Sequence, residues 1–338
     1  MNLLKTLYEI HSPSGNEKVM KKFIKGYVKK HIPGVTFKSD HVGNLYMIKG
    51  NSETYPCIVA HLDQVQREHS KDFKAIETED IIFGYSPKNR RREGLGADDK
   101  NGIWMALKCL EKYECIKVAF FVSEEIGCIG SRNADLSFFE DTRFVIEPDR
   151  RGYEDLITNI SYTSLCSDEF LKDIGFEEFG YKEELGMMTD VLELKEKGLK
   201  VSCLNLSCGY YDPHTEHEFT VKKDLLNCLG LVEHIIENCL SVYPHETLES
   251  GYYHRYFEID AETEIWDILS WDPEMSVEDL YEMYQTNYPR LKKEDFERIY
   301  NEYHEFNDEE ELWKDMHLNK VVNTKRLCFR RCTEQYVL

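Results

Sequence analysis

Four short apolar runs punctuate the first two-thirds of this chain, at Cys57–Ala60, Ile116–Val122, Phe144–Ile146 and Val201–Leu206. Each is too short for a buried helix and reads as a buried strand. Between them lie helical patterns at Gly102–Tyr113 and Met188–Lys197, and Leu225–Ile236 follows the last run. Strands alternating with helices call for an α/β fold, a three-layer sandwich around a mainly parallel mixed sheet. Two further strands are expected at Val35–Lys38 and Asn44–Ile48, joined by a turn at Asp40–Gly43. Ser14 followed three residues later by Glu17 has the form of a capping box that opens the first amphipathic helix.

The organisation changes near Tyr243. Residues 243–338 hold 11 Lys+Arg against 23 Asp+Glu, and so carry −12 of the net charge of −21. We therefore divide the chain into a catalytic-type domain, 1–242, and an acidic, mostly helical C-terminal extension, 243–338. Ser276-Val277-Glu278-Asp279 reads as a second capping box, and Leu291–Phe306 keeps helical spacing. Trp266, Trp271, Tyr281, Tyr284, Tyr288, Tyr300 and Tyr303 are too many aromatics for a solvated tail, and are expected to pack. The overall charge argues against binding nucleic acid or an anionic membrane. No run approaches the length of a membrane span, and Met1–Lys5 turns polar without a signal-peptide core. The eleven cysteines show no paired framework, and Cys328-x-x-x-Cys332 lacks a second half for a zinc site. Reduced thiols in the cytoplasm are the expectation.

Five polar motifs lie at or just beyond expected strand ends, where open α/β sheets bind ligands. After Ala60 comes His61-Leu62-Asp63, an imidazole with a carboxylate able to hold its other ring nitrogen. Gly94-Leu95-Gly96-Ala97-Asp98-Asp99-Lys100 offers two adjacent carboxylates before a helix, and Asp98 could bridge two cations. Ser123-Glu124-Glu125 permits a division of labour, one glutamate binding metal while the other moves a proton. Glu147-Pro148-Asp149 follows the third run. The fourth run ends in Gly209-Tyr210-Tyr211-Asp212-Pro213-His214, with His214 the candidate ligand and His217 a capping or packing residue. Each motif alone is common on protein surfaces. Their order in one α/β domain is not.

These motifs resemble those of the zinc-dependent exopeptidase group of aminopeptidases, tripeptidase T and carboxypeptidases. Gly96-Ala97-Asp98-Asp99-Lys100 and Gly209-Tyr210-Tyr211-x-x-His214 are similar to the tripeptidase T branch. The resemblance covers roughly residues 1–242. It implies that Asp98 bridges two ions, with His61 and Asp149 completing one site and Glu125 and His214 the other. It further implies that Asp63 orients His61, that Glu124 is the general base, and that the Asp98–Asp99 peptide is cis. Some relatives use the glutamate before the proline, so Glu147 competes with Asp149. Only 64 residues separate Asp149 from His214, too few for the lid domain that the tripeptidase T branch inserts there. A lidless variant is expected. Met187-Met188-Thr189-Asp190 occupies the place of a helix-opening pair in relatives. A structural N-cap is the simpler account, with Thr189, Asp190 and Gly209 as candidates for substrate contact.

The implied activity is metal-dependent hydrolysis of an amide bond in a small peptide, by an aminopeptidase or a di- or tripeptidase. Two divalent ions per chain are implied, zinc first, with cobalt or manganese as alternatives. A dizinc amidohydrolase of N-acyl amino acids is the enzymatic rival, and a lapsed peptide-binding module the non-enzymatic one. Homo-oligomerisation is left open.

Overall fold

The four apolar runs become the centre of one mixed sheet. The computed structural model describes residues 1–160, 163–246, 265–266, 269, 275–285, 288 and 291–316. Contacts divide the chain into two units, Met1–Glu249 and Ser250–Leu338.

The first unit opens with α1 (Asn2–Tyr8), α2 (Lys18–His31), β1 (Val35–Ser39), β2 (Leu45–Lys49) and β3 (Tyr55–His61). Three short strands follow, β4 (Lys74–Glu77), β5 (Ile81–Ser86) and β6 (Arg91–Arg92), then α3 (Ala97–Lys112), β7 (Ile116–Phe121) and α4 (Ile129–Arg132). Next come β8 (Thr142–Arg150), β9 (Asp155–Ile160), β10 (Thr163–Ser164), α5 (Asp168–Asp173), β11 (Lys182–Gly186) and α6 (Asp190–Glu196). The unit closes with β12 (Cys203–Ser207), β13 (Tyr210–Tyr211), β14 (Phe219–Val221) and α7 (Lys222–Asn238).

The main sheet has the order β1-β2-β7-β3-β8-β12-β9-β10, with β11 added on β9. Its central strands β7, β3, β8 and β12 run parallel, while β2 and β9 flank them antiparallel. Burial on both faces explains why these strands read as unbroken apolar runs. Along β3 the side chains alternate. Ile58 and Ala60 join the layer built with α1, α2, α3 and α7, whereas Cys57 and Val59 join the opposite layer with Val191 and Leu194 of α6. The three-layer α/β sandwich is thus present. A second, five-stranded sheet, β13-β14-β5-β4 with β6 on β5, was not foreseen. Its strands are two to six residues long and partly exposed, and only β5 carries an apolar run, Ile81-Ile82-Phe83.

One expected start signal is corrected. Helix α2 begins at Lys18 after Glu17, and no side chain caps it. The hydroxyl of Ser14 and the carboxylate of Glu17 are committed elsewhere, as shown below. The Met188–Lys197 pattern also yields a shorter helix, α6, whose N-cap position Thr189 makes no side-chain cap bond. The described cysteines, from Cys57 to Cys239, are free thiols. Among the described residues no helix is long and apolar enough to cross a membrane.

The second unit is helical where it is described, with helices Val277–Tyr284 and Lys293–Met316. The hydroxyl of Ser276 accepts the Asp279 amide at 3.2 Å, as the capping box requires. Leu280, Phe296 and Ile299 are fully buried, and Trp266 meets Tyr303 edge-on at 5.8 Å. Trp271 and the Cys328–Cys332 pair lie outside the described residues.

Candidate metal centre

Parallel strands bring their carboxyl ends to one edge, and the expected motifs gather there. His61 ends β3 and is fully buried beside Phe121, the last residue of β7. The chain leaves β7 through a tight turn in which Ser123 and Cys128 take positive φ (55° and 53°) and Gly127 lies at 102°. That turn holds Glu124 and Glu125. Asp149 lies near the end of β8, and His214 follows β13 with φ 64°. Gly96, at φ 64°, leads into the cis Asp98–Asp99 peptide at the start of α3.

Two groups of potential ligands result, and Asp98 belongs to both. One ligand-type atom each from His61, Asp98 and Asp149 lies within 4.8 Å of the others, and the same holds for Asp98, Glu125 and His214. The Asp98 carboxylate is split between them. Its Oδ1 is 2.9 Å from His61 Nε2, and its Oδ2 is 3.4 Å from His214 Nε2. Asp149 Oδ2 lies 3.6 Å from His61 Nε2, and Glu125 Oε2 lies 3.1 Å from His214 Nε2. Glu147 stands apart from both groups. Its Oε2 accepts from Thr189 Oγ1 at 2.5 Å and from the Val191 amide at 3.3 Å. Glu124 stands close without joining either group, with Oε2 3.8 Å from His61 Nε2 and Oε1 accepting from Cys128 Sγ at 3.4 Å.

Supporting residues lock these positions. Asp63 Oδ1 lies 3.5 Å from His61 Nδ1, and its carboxylate also accepts the amides of Glu124 (3.0 Å) and Glu125 (3.2 Å). Asp63 therefore ties the end of β3 to the glutamate turn. Ser14 Oγ donates to the same carboxylate at 2.8 Å, and Glu17 Oε1 accepts the Ser123 amide at 3.2 Å. Neither supporting role was foreseen, because both residues fit a helix start equally well. Asp99 divides its oxygens between the Gly102 amide (2.8 Å), where it starts α3, and the His61 amide (3.3 Å). Asn205 of β12 brackets Asp149, accepting its amide and donating to its carbonyl, both at 3.1 Å. Glu218 accepts three successive amides of the loop that delivers Asp98.

Thr189, Asp190 and Gly209 are all enclosed. Thr189 Oγ1 lies between Glu147 and Asn205, and Asp190 Oδ1 accepts from Ser131 Oγ at 2.5 Å. Gly209 has φ 82°, and a side chain there would meet the Leu225 amide at 2.5 Å. His217 is exposed, and its carbonyl accepts from Arg92 Nη2 at 2.6 Å.

The electrostatics suit a cation. Burial and the negative charges of neighbouring acids hold the Glu124, Glu125 and Asp149 carboxyls above their ordinary range. Burial disfavours charge on His61, but Asp149, Asp63 and Asp98 overcome it and raise that imidazole well above its usual value. Hydrogen bonds to Asp98 and Glu125 push His214 up to about 10. Two histidines thus face four crowded carboxylates, and the Glu125 Oε1 atom is buried without a partner. The Lys100 ammonium bonds Gln64 Oε1 instead. A divalent ion in each group would satisfy these acids in their charged form, and imidazole with carboxylate is a donor set that zinc, cobalt and manganese accept.

No protein-family model matches the chain, and no curated protein matches it by sequence. Solved structures do. Aminopeptidase PepT from Bacillus cereus ATCC 10987 aligns at TM-score 0.56 and 14% identity, over 70% of this chain and 97% of that one. A tripeptidase from Staphylococcus aureus aligns at 0.54 and 16%, over 70% and 96%. PhTET1-12s, described as a dodecamer in its asymmetric unit, aligns at 0.50 and 15%, over 69% and 97%. At such identities the likeness speaks for the fold. The α/β fold is shared with these peptidase structures.

Proposed function

We propose that this chain is a metallopeptidase that hydrolyses an amide bond in a small peptide, using two divalent ions that the two ligand groups sharing Asp98 would hold. The observation that carries the reading is the divided Asp98 carboxylate, one oxygen towards His61 and the other towards His214. His61 and Asp149 would complete one site, and Glu125 and His214 the other. When bound, such a pair of ions supplies Lewis-acid polarisation of the scissile carbonyl and lowers the pKa of the attacking water.

The remaining work falls to the chain itself. Glu124 is the general base. It takes a proton from water at Oε2 and returns it to the leaving amine nitrogen, while the Cys128 thiol steadies Oε1. Asp63 faces the His61 ring on its Nδ1 side, 3.5 Å away, and would orient it so that Nε2 meets Asp98. Peptidase names among the fold's relatives, an aminopeptidase and a tripeptidase, favour peptides over other amides. The dodecameric relative makes a homo-oligomer the natural assembly to look for.

A panel of di- and tripeptides with free or acylated amines, assayed with zinc, cobalt or manganese and then with a chelator, tests the reading. Cleavage of free-amine peptides that chelation abolishes is the expected result. Cleavage confined to N-acyl amino acids would make the chain an amidohydrolase. Failure to cleave any peptide with two ions bound would leave a peptide-binding module.

A further inference from the structure

Asp98 owes its place to its backbone. Its side chain is wholly directed at His61 and His214, and the two residues before it, Gly96 and Ala97, have no polar side chain to anchor the loop. Three successive amides of this loop converge on one carboxylate instead. The Gly96 amide donates to Glu218 Oε2 at 2.6 Å, and those of Ala97 and Asp98 donate to Oε1 at 2.8 and 3.1 Å. Glu218 is fully buried, Gln66 Nε2 donates to its Oε2 at 3.2 Å, and Arg92 Nη2 donates to its main-chain carbonyl at 3.2 Å.

Glu218 also sits four residues after His214, immediately before β14. One short loop therefore carries, at one end, the imidazole that faces Asp98 Oδ2 and, at the other, the carboxylate that grips the Asp98 main chain. We propose that Glu218 is a positioning residue that sets the shared Asp98 carboxylate for both ligand groups at once, a role that rests on the two-ion reading above. A carboxylate is required because it is acceptor-only. A glutamine would turn an amino group towards at least one of the three amides, and an aspartate would fall one methylene short.

The test is zinc binding by the purified metal-free protein, followed by competition with a chromophoric chelator, and cobalt(II) absorption as a check on geometry. Glu218→Gln should weaken both ions together, by about 10–100-fold, the usual effect of removing a partner that orients ligands. The melting temperature of the metal-free variant should change little by comparison. Glu218→Asp is read in its place should the glutamine variant not fold, with the same expectation. Asn205→Ala supplies the contrast, because Asn205 bonds Asp149 and Thr189 but none of the other candidate ligands, and should weaken one ion only. Unchanged zinc affinity at both sites, loss at one site only in Glu218→Gln, or an equal double loss in Asn205→Ala would overturn the proposal. Should the parent protein bind fewer than two ions, the two-ion reading itself falls and carries this one with it. That result is distinguishable because it appears before any substitution is made.

Discussion

Replacing Glu124 by Gln separates proton transfer from metal binding. Glu124 belongs to neither ligand group, although its Oε2 is 3.8 Å from His61 Nε2. Glutamine preserves the side chain's size and keeps a carbonyl oxygen able to accept the Cys128 thiol, which Oε1 now does at 3.4 Å. What disappears is basicity. A placed general base is worth about 10²–10⁴ in rate, which at 1.36 kcal/mol per tenfold is about 3–5 kcal/mol of barrier. We therefore expect kcat on a free-amine tripeptide to fall by at least about a hundredfold, with KM little changed because binding groups are untouched. Metal content measured on the same preparation, at saturating zinc, should stay at two ions per chain. Glu125→Gln should do the opposite and weaken one ion, since Glu125 Oε2 is 3.1 Å from His214 Nε2. If Glu124→Gln kept more than a tenth of the parent kcat, or lost an ion, the assignment of base and ligand to this pair would be refuted.

Three further outcomes follow from particular contacts. Ser14→Ala removes the 2.8 Å bond to the Asp63 carboxylate. It should cost about 1.5–3 kcal/mol in urea unfolding and lower kcat, whereas a helix cap alone would leave kcat untouched. His69 is pushed down to about 3 by burial, with the positive charges of Lys100 and His11 adding to it, so it folds neutral. The unfolded chain then binds the extra proton between about pH 6.5 and pH 3. Stability should fall on acidification through that window, and His69→Gln should shrink the loss between pH 7 and pH 5 in urea midpoints. Residues 243–246 bond into the first unit, through Tyr243 to Ser202 and Arg143 and through the His245 amide to Lys200. Tyr243 is also buried against Phe170, ring centres 4.8 Å apart. A chain ending at Val242 should therefore melt well below one ending at Glu249, and equal melting would contradict this packing.

Much of the main sheet was legible because burial on both faces leaves a one-dimensional mark. Ile58, Val118, Val145 and Leu204 sit in runs without polar interruption, and those runs became β3, β7, β8 and β12. His61, Glu125 and Asp149 were legible for a chemical reason, since imidazoles and carboxylates just past such runs must share the sheet's carboxyl edge, whereas Asp98 opens α3 and His214 follows β13 of the small sheet. His61, Asp98, Glu125, Asp149 and His214 do meet there. The small sheet left a weaker mark, confined to Ile81-Ile82-Phe83 of β5. Its β6 is the pair Arg91–Arg92, defined by pairing with Tyr85 and Ser86 rather than by any pattern of its own.

The positions that misled are hydroxyls, and one physical cause covers them. Ser14 and Thr189 stand where helices begin and have the right chemistry to cap them, yet neither does. Each instead donates to a buried carboxylate, Ser14 to Asp63 and Thr189 to Glu147. A hydrogen bond to an ionised acceptor is roughly twice as strong as one between neutral groups. Asp63 is such an acceptor, because despite burial His61 and Ser14 hold it below the usual carboxylate range. Burial pushes Glu147 up to about 8, and Thr189 bonds it without that advantage. Beside a cluster of buried acids, a hydroxyl is therefore drawn away from the helix amide it would otherwise accept. Where no such acid competes, the local rule holds. Ser167 accepts the Phe170 amide at 3.2 Å at the start of α5, and Ser276 accepts that of Asp279. Ser167 and Ser276 thus cap their helices away from the acidic cluster, while Ser14 and Thr189 beside it do not. The failure at Ser14 and Thr189 marks where buried carboxyl groups compete with helix amides for a hydroxyl.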